Sequence, residues 1–570
     1  MRKAEALIAL CLFALFVLAY AHTCSLSVSW QNFSEDSGDL LAAAYTLGIP
    51  HPTGYPLYVL LGRVLALAMP GSIAFRITLL SLLCTSAAAV FVFLTLARLL
   101  PGRGGLLGAT LAALSLGFSV HVWSQAVVAE VYALHLFLMS VAVYCLVRWT
   151  HTEVPPGEIE RARLDPPKET PRARPGPAGL EPKPQTATAG RVERGESGGL
   201  PLRSSTYLLA AAYVVGLSFA NHMLSVVTVV FALLYVLSGP WRGRLDVRTC
   251  LWALFLFALP LTLYAYLPLR SMRDPHLDWG NPETWDQLRW VVTGAQYRFR
   301  LLGKPLAETV SRLWPGPFLT TGWLVALLAL AGLLGGRMTG ALRIALVGTI
   351  LTDLAAVVFY DIPDFLGYLL PAILALSLLA GAGFHRVVET CGVLLERTGR
   401  ATLARHGVSL VAGLLVVAAI APSARENRKV TDASADLHPY VFGRATFTIV
   451  EPNALIVSEY DGRTFALWFF LETEYKDTHP DCIVVLKYLL VWPWYVDNLR
   501  ELHPDLSVPE AGHMDTAMLR LVAANIDTRP VYTVRDDPAL IPFFEFKPVF
   551  GGLTPLFKVE RAGGARTPND

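Results

Sequence analysis

Apolar runs close to the ~20 residues needed to cross a bilayer recur along this sequence as far as residue 422. The candidates are 5–22, 73–99, 104–121, 127–149, 206–220, 223–239, 250–268, 317–335, 340–359, 366–384 and 406–422. That pattern leaves few folds open. In lipid every backbone polar group must be satisfied internally, and runs of this length do so as helices. Composition agrees: only 16% of the residues are charged, against about 25% in a soluble protein. The expectation is an all-α polytopic membrane bundle of about eleven transmembrane helices. Several runs are only a few residues apart, so tight helical hairpins are expected.

Lys and Arg set the orientation. With Arg2 and Lys3 in the cytoplasm, the inner turns carry Arg98 and Arg103, then Arg148, then Arg242, Arg244 and Arg248. Arg337 and Arg343, and then Arg386, Arg397, Arg400 and Arg405, complete that set. The outer loops are then 23–72, 121–126, 221–222, 269–316, 360–365 and everything after 422. A bacterial inner (plasma) membrane is the expected location. The first run, with Arg2-Lys3 before it and Ala19-Tyr20-Ala21 at its end, also fits a cleavable signal peptide. On either reading residue 23 onward faces outward.

Two polar regions interrupt or follow the runs. Residues 151–203 are rich in Pro, Gly, Arg and Glu. They bury too little apolar surface to offset ordering entropy, and read as a disordered cytoplasmic linker within the membrane domain, 1–423. Residues 424–570 are long enough for a small domain. Strand-like 454–459, 482–490 and 529–534 alternate with helix-like 464–475 and 493–502, which predicts an extracytoplasmic α/β domain. A net charge of +2 gives no reason to expect nucleic acid as a partner. Zinc-type Cys pairs, a phosphate-binding Gly loop and a dinucleotide fingerprint are missing from the sequence. Of the seven Cys most fall in apolar runs and only Cys24 and Cys482 read as extramembranous, so no disulfide framework is implied.

The chemistry-bearing residues gather in the outer loops. Glu35-Asp36-Ser37-Gly38-Asp39 follows the first run, and a short amphipathic helix, Pro50-His51-Pro52 and Gly54-Tyr55-Pro56 come next. Carboxylates, an imidazole and a rigid turn beside a membrane suit acid–base chemistry on a lipid-linked substrate. Asp36 and Asp39 equally suit plain capping of the helix after them. Tyr55 and Tyr58 suit interface anchoring. Gln125 and Glu130 stand at the entry to a spanning run, where an ionisable group is costly and a functional candidate by default. Asn221 and His222 form an outer turn and either cap it or face the same cavity. Arg270 and Arg273 stand on the outer side against the positive-inside bias, so a partner is expected. A guanidinium fork suits phosphate. Asp278-Trp279-Gly280-Asn281-Pro282, Gln296, Tyr297 and Arg298 suit sugar or headgroup contacts, and Asp361 and Asp364 lie at a further outer turn.

The stretch DSGDLLAAAYTLGIPHPTGYPLY resembles the signature of a membrane family long catalogued as a domain of unknown function. That family is grouped with the GT-C glycosyltransferases and includes the vertebrate O-mannosyltransferase of plexin-type receptors. The likeness continues through WSQAVVAEVYALH, GLSFANH, LPLRS, DWGNPETW, VVTGAQYR and YDIPDFLGYLLP, over roughly residues 5–385. The resemblance implies a GT-C bundle and a polyprenyl-phosphate sugar, mannose or a relative, as donor. It implies Asp36 as general base and Asp39 as its orienting partner, where the family often has Glu. It implies Arg270 or Arg273 on the leaving phosphate. His51, Tyr55, Gln125, Glu130, Asn221, His222, Tyr297 and Asp361 would bind substrate around them. A lipid-phosphate leaving group reduces the need for a metal, so no obligatory cofactor is expected.

The reading is a membrane glycosyltransferase with a Ser/Thr hydroxyl of an exported protein as acceptor, or a lipid or glycan. The rivals are a lipid flippase or transporter using Glu130 and Arg270, and a non-catalytic receptor.

Overall fold

The computed structural model describes residues 2–152, 202–241, 245–304, 307–308, 322–335, 337–361, 365, 367–398, 407–550 and 555–562. The linker expected at 151–203, apart from its ends, lies outside the described residues, as do 317–321 and Asp364. Each apolar run forms a helix over most of its described length. Among the described residues, seven helices are long and apolar enough to cross a membrane: Lys3–Thr23, Ile73–Leu99, Tyr132–His151, Val247–Ser271, Gly340–Phe359, Gly367–Arg397 and Val408–Thr431. An eighth span is Gly102–Gly117 with Val120–Ala126, if that pair, bent by 63°, crosses as one.

The remaining three of the eleven expected runs form shorter apolar helices. Ser205–Phe219, Ser225–Ser238 and Trp323–Leu334 are apolar but short. At 1.5 Å per residue each covers about 18–23 Å, less than the ~30 Å hydrocarbon core. Small residues seat one of these short helices. A Cβ on Gly383 would collide with the Leu328 carbonyl, and one on Gly332 with that of Leu379. The two helices cross there backbone to backbone.

The C-terminal region carries a five-stranded sheet in the order β2-β1-β3-β5-β4. Its strands are β1 (Leu455–Ser458), β2 (Ile483–Leu486), β3 (Val531–Thr533), β4 (Phe544–Phe550) and β5 (Leu556–Arg561). β1 is parallel to β2 and β3, and β5 is antiparallel to β3 and β4. β1 to β3 are buried at every position, as parallel strands covered by helices must be. Asp461–Thr473 and Pro493–Leu502 are the two expected helices; His438–Ile449 and Met514–Asn525 were not foreseen. Nor was the β4–β5 pair: β4 is mostly exposed and holds Pro548, which makes its strand signal weak. The last membrane helix runs to Thr431, past the expected boundary at 423.

This domain is fastened to the loop after the first helix. One Asp436 carboxylate oxygen, Oδ2, accepts from Ser29 Oγ (2.8 Å), Trp30 N (2.8 Å) and Gln31 N (3.0 Å). Trp30 Nε1 donates to the Gly462 carbonyl at 2.8 Å. The helix Asp461–Thr473 packs directly on the first-loop helix, Ser37–Thr46. Gly38 permits that approach, because a Cβ there would meet the backbone carbonyl of Phe465.

Candidate active site

The first-loop helix buries Leu40, Leu41, Ala42, Ala43 and Ala44 completely, and this pins its first turn in place. Asp39, in that turn, is fully buried. Asp36 precedes the helix but makes no side-chain cap bond to it, and 38% of its side chain is exposed. Simple capping therefore does not account for Asp36. The chain leaves the helix at Leu47, in the left-handed region (φ 57°). Ile49 then bridges to the second loop, through Ile49 N to Leu277 O at 2.7 Å and Trp279 N to Ile49 O at 3.2 Å.

That turn brings His51 back over Asp39. Asp39 Oδ2 accepts from His51 N (2.9 Å) and lies 2.7 Å from His51 Nδ1. On the other edge of the ring, Nε2 lies 2.9 Å from the Tyr55 hydroxyl and 3.6 Å from Asp36 Oδ2. The result is a chain of groups, Asp39–His51–Asp36, with Tyr55 at the bend. Burial pulls the His51 pKa down, but Asp36, the Asp39 hydrogen bond and more distant Glu130 outweigh it and raise the value to about 9. His51 is a cation at neutral pH, held between two carboxylates.

The raised value has a consequence for stability. The unfolded imidazole titrates near its ordinary 6.5. The ion pairing therefore contributes fully below about 6.5 and is lost as pH rises through about 9. Wild type should out-melt His51→Gln at pH 6, and the gap should narrow steadily toward pH 9.5 in thermal denaturation. A gap independent of pH would mean that the ring is not a cation.

The C-terminal domain completes the site. Phe465 stacks on the His51 ring (6.5 Å between centroids, 7° between planes), and Trp279 meets it edge-on at 6.1 Å. Asp461, one helical turn before Phe465, accepts a short hydrogen bond from the Tyr488 hydroxyl. Burial lifts its carboxyl to about 6, against that hydrogen bond and the nearby His51 charge, with Glu35 and Asp39 pushing it further up. Sequence reasoning missed Asp461 and Phe465, and named Trp279 only as a sugar or headgroup contact. Only Gly38 and Gly462, small residues at a close crossing, hint at them.

Of the other expected residues, His222 joins the cluster by stacking on Tyr55 (5.8 Å, 5°) and contacting Tyr132 and Tyr368. Burial, with His135 and His51 nearby, lowers its pKa to about 3, so it is neutral. Glu130 is buried and adds to the field on His51. Tyr297 is raised well above the usual phenol range by burial and by Asp36 and Asp461. Asn221 Nδ2 instead holds the Val131 carbonyl (2.9 Å). Gln125 is buried and turned to Ser124 (3.4 Å).

Arg270 and Asp361 are engaged elsewhere. Arg270 Nε donates to Leu47 O (2.5 Å) and Nη2 to Thr46 O (3.4 Å), at the carbonyl end of the first-loop helix. The helix separates that point from Asp36 by about 15 Å. In the structure the partner of this outer cation is a helix C-terminus. Arg273, three residues on, is exposed. Asp361 pairs with Lys304 (3.4 Å). Among the described residues no group of three or more His, Cys, Asp or Glu side chains is arranged to hold a metal ion.

Residues 36–164 match the family described as the protein O-mannosyl-transferase TMEM260 N-terminal domain. The first six site residues, Asp36 to Glu130, all lie inside this TMEM260-like segment. The chain is 38% identical over 115 residues to the mouse protein O-mannosyl-transferase TMEM260, covering 20% of this chain and 16% of the relative. It is 27% identical over 152 residues to the Dictyostelium discoideum protein O-mannosyl-transferase, covering 25% and 18%. The chain thus aligns with about a sixth of each relative's length. The whole fold matches ArnT from Cupriavidus metallidurans bound to undecaprenyl phosphate, with a TM-score of 0.58, 13% identity and 98% of both chains covered. It also matches the Archaeoglobus fulgidus oligosaccharyltransferase, with a TM-score of 0.50, 11% identity, and 98% and 75% covered. The fold shared with these structures is a membrane helix bundle with a C-terminal domain on the loops at one end.

Proposed function

We propose that this chain is a glycosyltransferase that moves a hexose, mannose first among candidates, from a polyprenyl-phosphate donor to a Ser/Thr hydroxyl of an exported protein. The reaction would run on the outer side of the membrane. The observation that carries the reading is Asp36: a half-exposed carboxylate in a buried cluster, not used to cap its helix, and steadied by the imidazolium of His51. The TMEM260-like segment supports a protein hydroxyl as acceptor, and the ArnT-like fold supports a lipid-phosphate donor.

The chemistry follows from the cluster. Asp36 takes the acceptor hydroxyl proton as the oxygen attacks the anomeric carbon. The bond from that carbon to the phosphate oxygen breaks, and the lipid phosphate leaves with the electron pair. His51 fixes Asp36, and Asp39 fixes His51. Tyr297, whose phenol feels Asp36, and His222, stacked on Tyr55, stand beside them. Arg300 would supply the phosphate contact: its guanidinium lies 5.9 Å from the ring centre of Tyr297, and its Nη1 also donates to the Asp361 carbonyl (3.2 Å). Arg300→Ala should raise the donor KM about tenfold or more with a smaller change in kcat. An unchanged KM would assign the phosphate elsewhere. A phosphate ester already leaves readily, so activity should persist in excess EDTA; its loss, restored by a divalent cation, would require a metal.

The transport rival needs Glu130 and Arg270 on one path. Glu130 lies within reach of the His51 charge, while Arg270 clasps the opposite end of the first-loop helix. Membranes carrying the protein, given polyprenyl-phosphate [3H]mannose, test the reading. Label should enter protein and be released by β-elimination. Label absent above a control lacking the protein would refute protein O-transfer, and label in lipid or glycan would name the other acceptor.

A further inference from the structure

Trp279 also lines a cavity of about 100 Å³ between the second loop and the C-terminal domain. Three indoles wall it: Trp279, Trp468 and Trp494. Asn498 Nδ2 donates to the Asp278 carbonyl (3.0 Å), so the helix Pro493–Leu502 is fastened over it. At the rim His276 meets the buried Glu472 carboxylate at 2.6 Å.

Two polar atoms on these lining residues are buried without a hydrogen-bond partner: Asp278 Oδ1 and Trp494 Nε1. Asp278 is only 8% exposed, and its other oxygen already accepts from the Ser271 hydroxyl (2.7 Å). Leaving such atoms unpaired is costly, and native structures keep few of them without a reason. One atom needs a donor and the other an acceptor.

We propose that this cavity binds a pyranose ring. A sugar hydroxyl is both donor and acceptor, and so answers Asp278 Oδ1 and Trp494 Nε1 together. The C–H face of the ring packs on indole. An extended peptide fits less well. The strand in the cavity wall is β2, an edge of the sheet, where a peptide would add by pairing. Two of the groups such a peptide would use are taken: Trp468 Nε1 holds Val484 O (3.0 Å) and the Tyr495 hydroxyl holds Leu486 N (3.0 Å). The ring comes either from a glycan already on the acceptor or from the sugar of the lipid donor. The pocket does not depend on the transfer reaction, and its test reads binding alone.

The test is a saturation-transfer NMR titration of the full chain in nanodiscs with methyl α-D-mannopyranoside. Wild type and Asp36→Asn should bind alike, and Asp278→Asn and Trp494→Phe should each weaken binding about tenfold or more. Trp494→Phe keeps an aromatic wall and removes the N–H, so the test stands even if Asp278→Asn loosens the Ser271 contact. Displacement of the mannoside by polyprenyl-phosphate mannose, but not by polyprenyl phosphate, would identify the donor sugar as the source. An undisturbed mannoside would identify an acceptor glycan. The proposal is overturned by absence of saturable binding, by binding that ignores both pocket variants, by its loss in Asp36→Asn, or by a Ser/Thr peptide binding there in place of the mannoside.

Discussion

Asp36→Asn should lower kcat about a hundredfold to ten-thousandfold, the range expected on removing a positioned general base. The amide keeps the shape of the side chain but cannot take the acceptor proton. The residue makes no cap bond and is half in solvent, so the fold should survive. Its loss to stability is the weakened attraction across 3.6 Å to His51, a small effect at a partly exposed site. Donor KM should change little, because the phosphate contact lies elsewhere. A variant that keeps more than about a tenth of wild-type kcat would remove Asp36 from the role of base.

Gly38→Val should separate the two halves of the site. The new side chain would meet the Phe465 carbonyl, a backbone group that cannot rotate aside. The helices Ser37–Thr46 and Asp461–Thr473 must then part, at a cost of about 1–3 kcal/mol or more. Parting them unstacks Phe465 from His51 and withdraws Asp461. The expected result is a fall in activity of about tenfold or more, a lowered melting temperature and unchanged helix content by circular dichroism. Gly38→Ala should fall between. Full activity in Gly38→Val would show that the C-terminal domain is not part of the reaction site.

Much of this architecture is legible in the chain because membrane helices and buried strands leave continuous apolar runs. The catalytic loop is legible too. Asp36, Asp39, His51 and Tyr55 fall within twenty residues, and two prolines around His51 announce a rigid turn. What the sequence hides is long-range. Asp461 and Phe465 reach the site from more than 400 residues away, through a helix crossing that only a glycine betrays. Arg270 illustrates a different gap. An arginine against the charge bias does have a partner, but residue type cannot tell a phosphate from the carbonyl end of a helix. Hydropathy registers Ala220 as apolar but does not register that the backbone turns at Asn221.

The measurement that tests the central claim most directly is a single-turnover reaction of the purified chain with synthetic polyprenyl-phosphate mannose and an acceptor protein. The lipid product and the mannosylated acceptor are followed together, in wild type and in Asp36→Asn. The account predicts polyprenyl phosphate and mannosyl-protein appearing in equal amounts in wild type, with neither formed at a comparable rate by the variant while donor binding persists. Equal product formation by both proteins, or lipid release without mannosyl-protein, would contradict it.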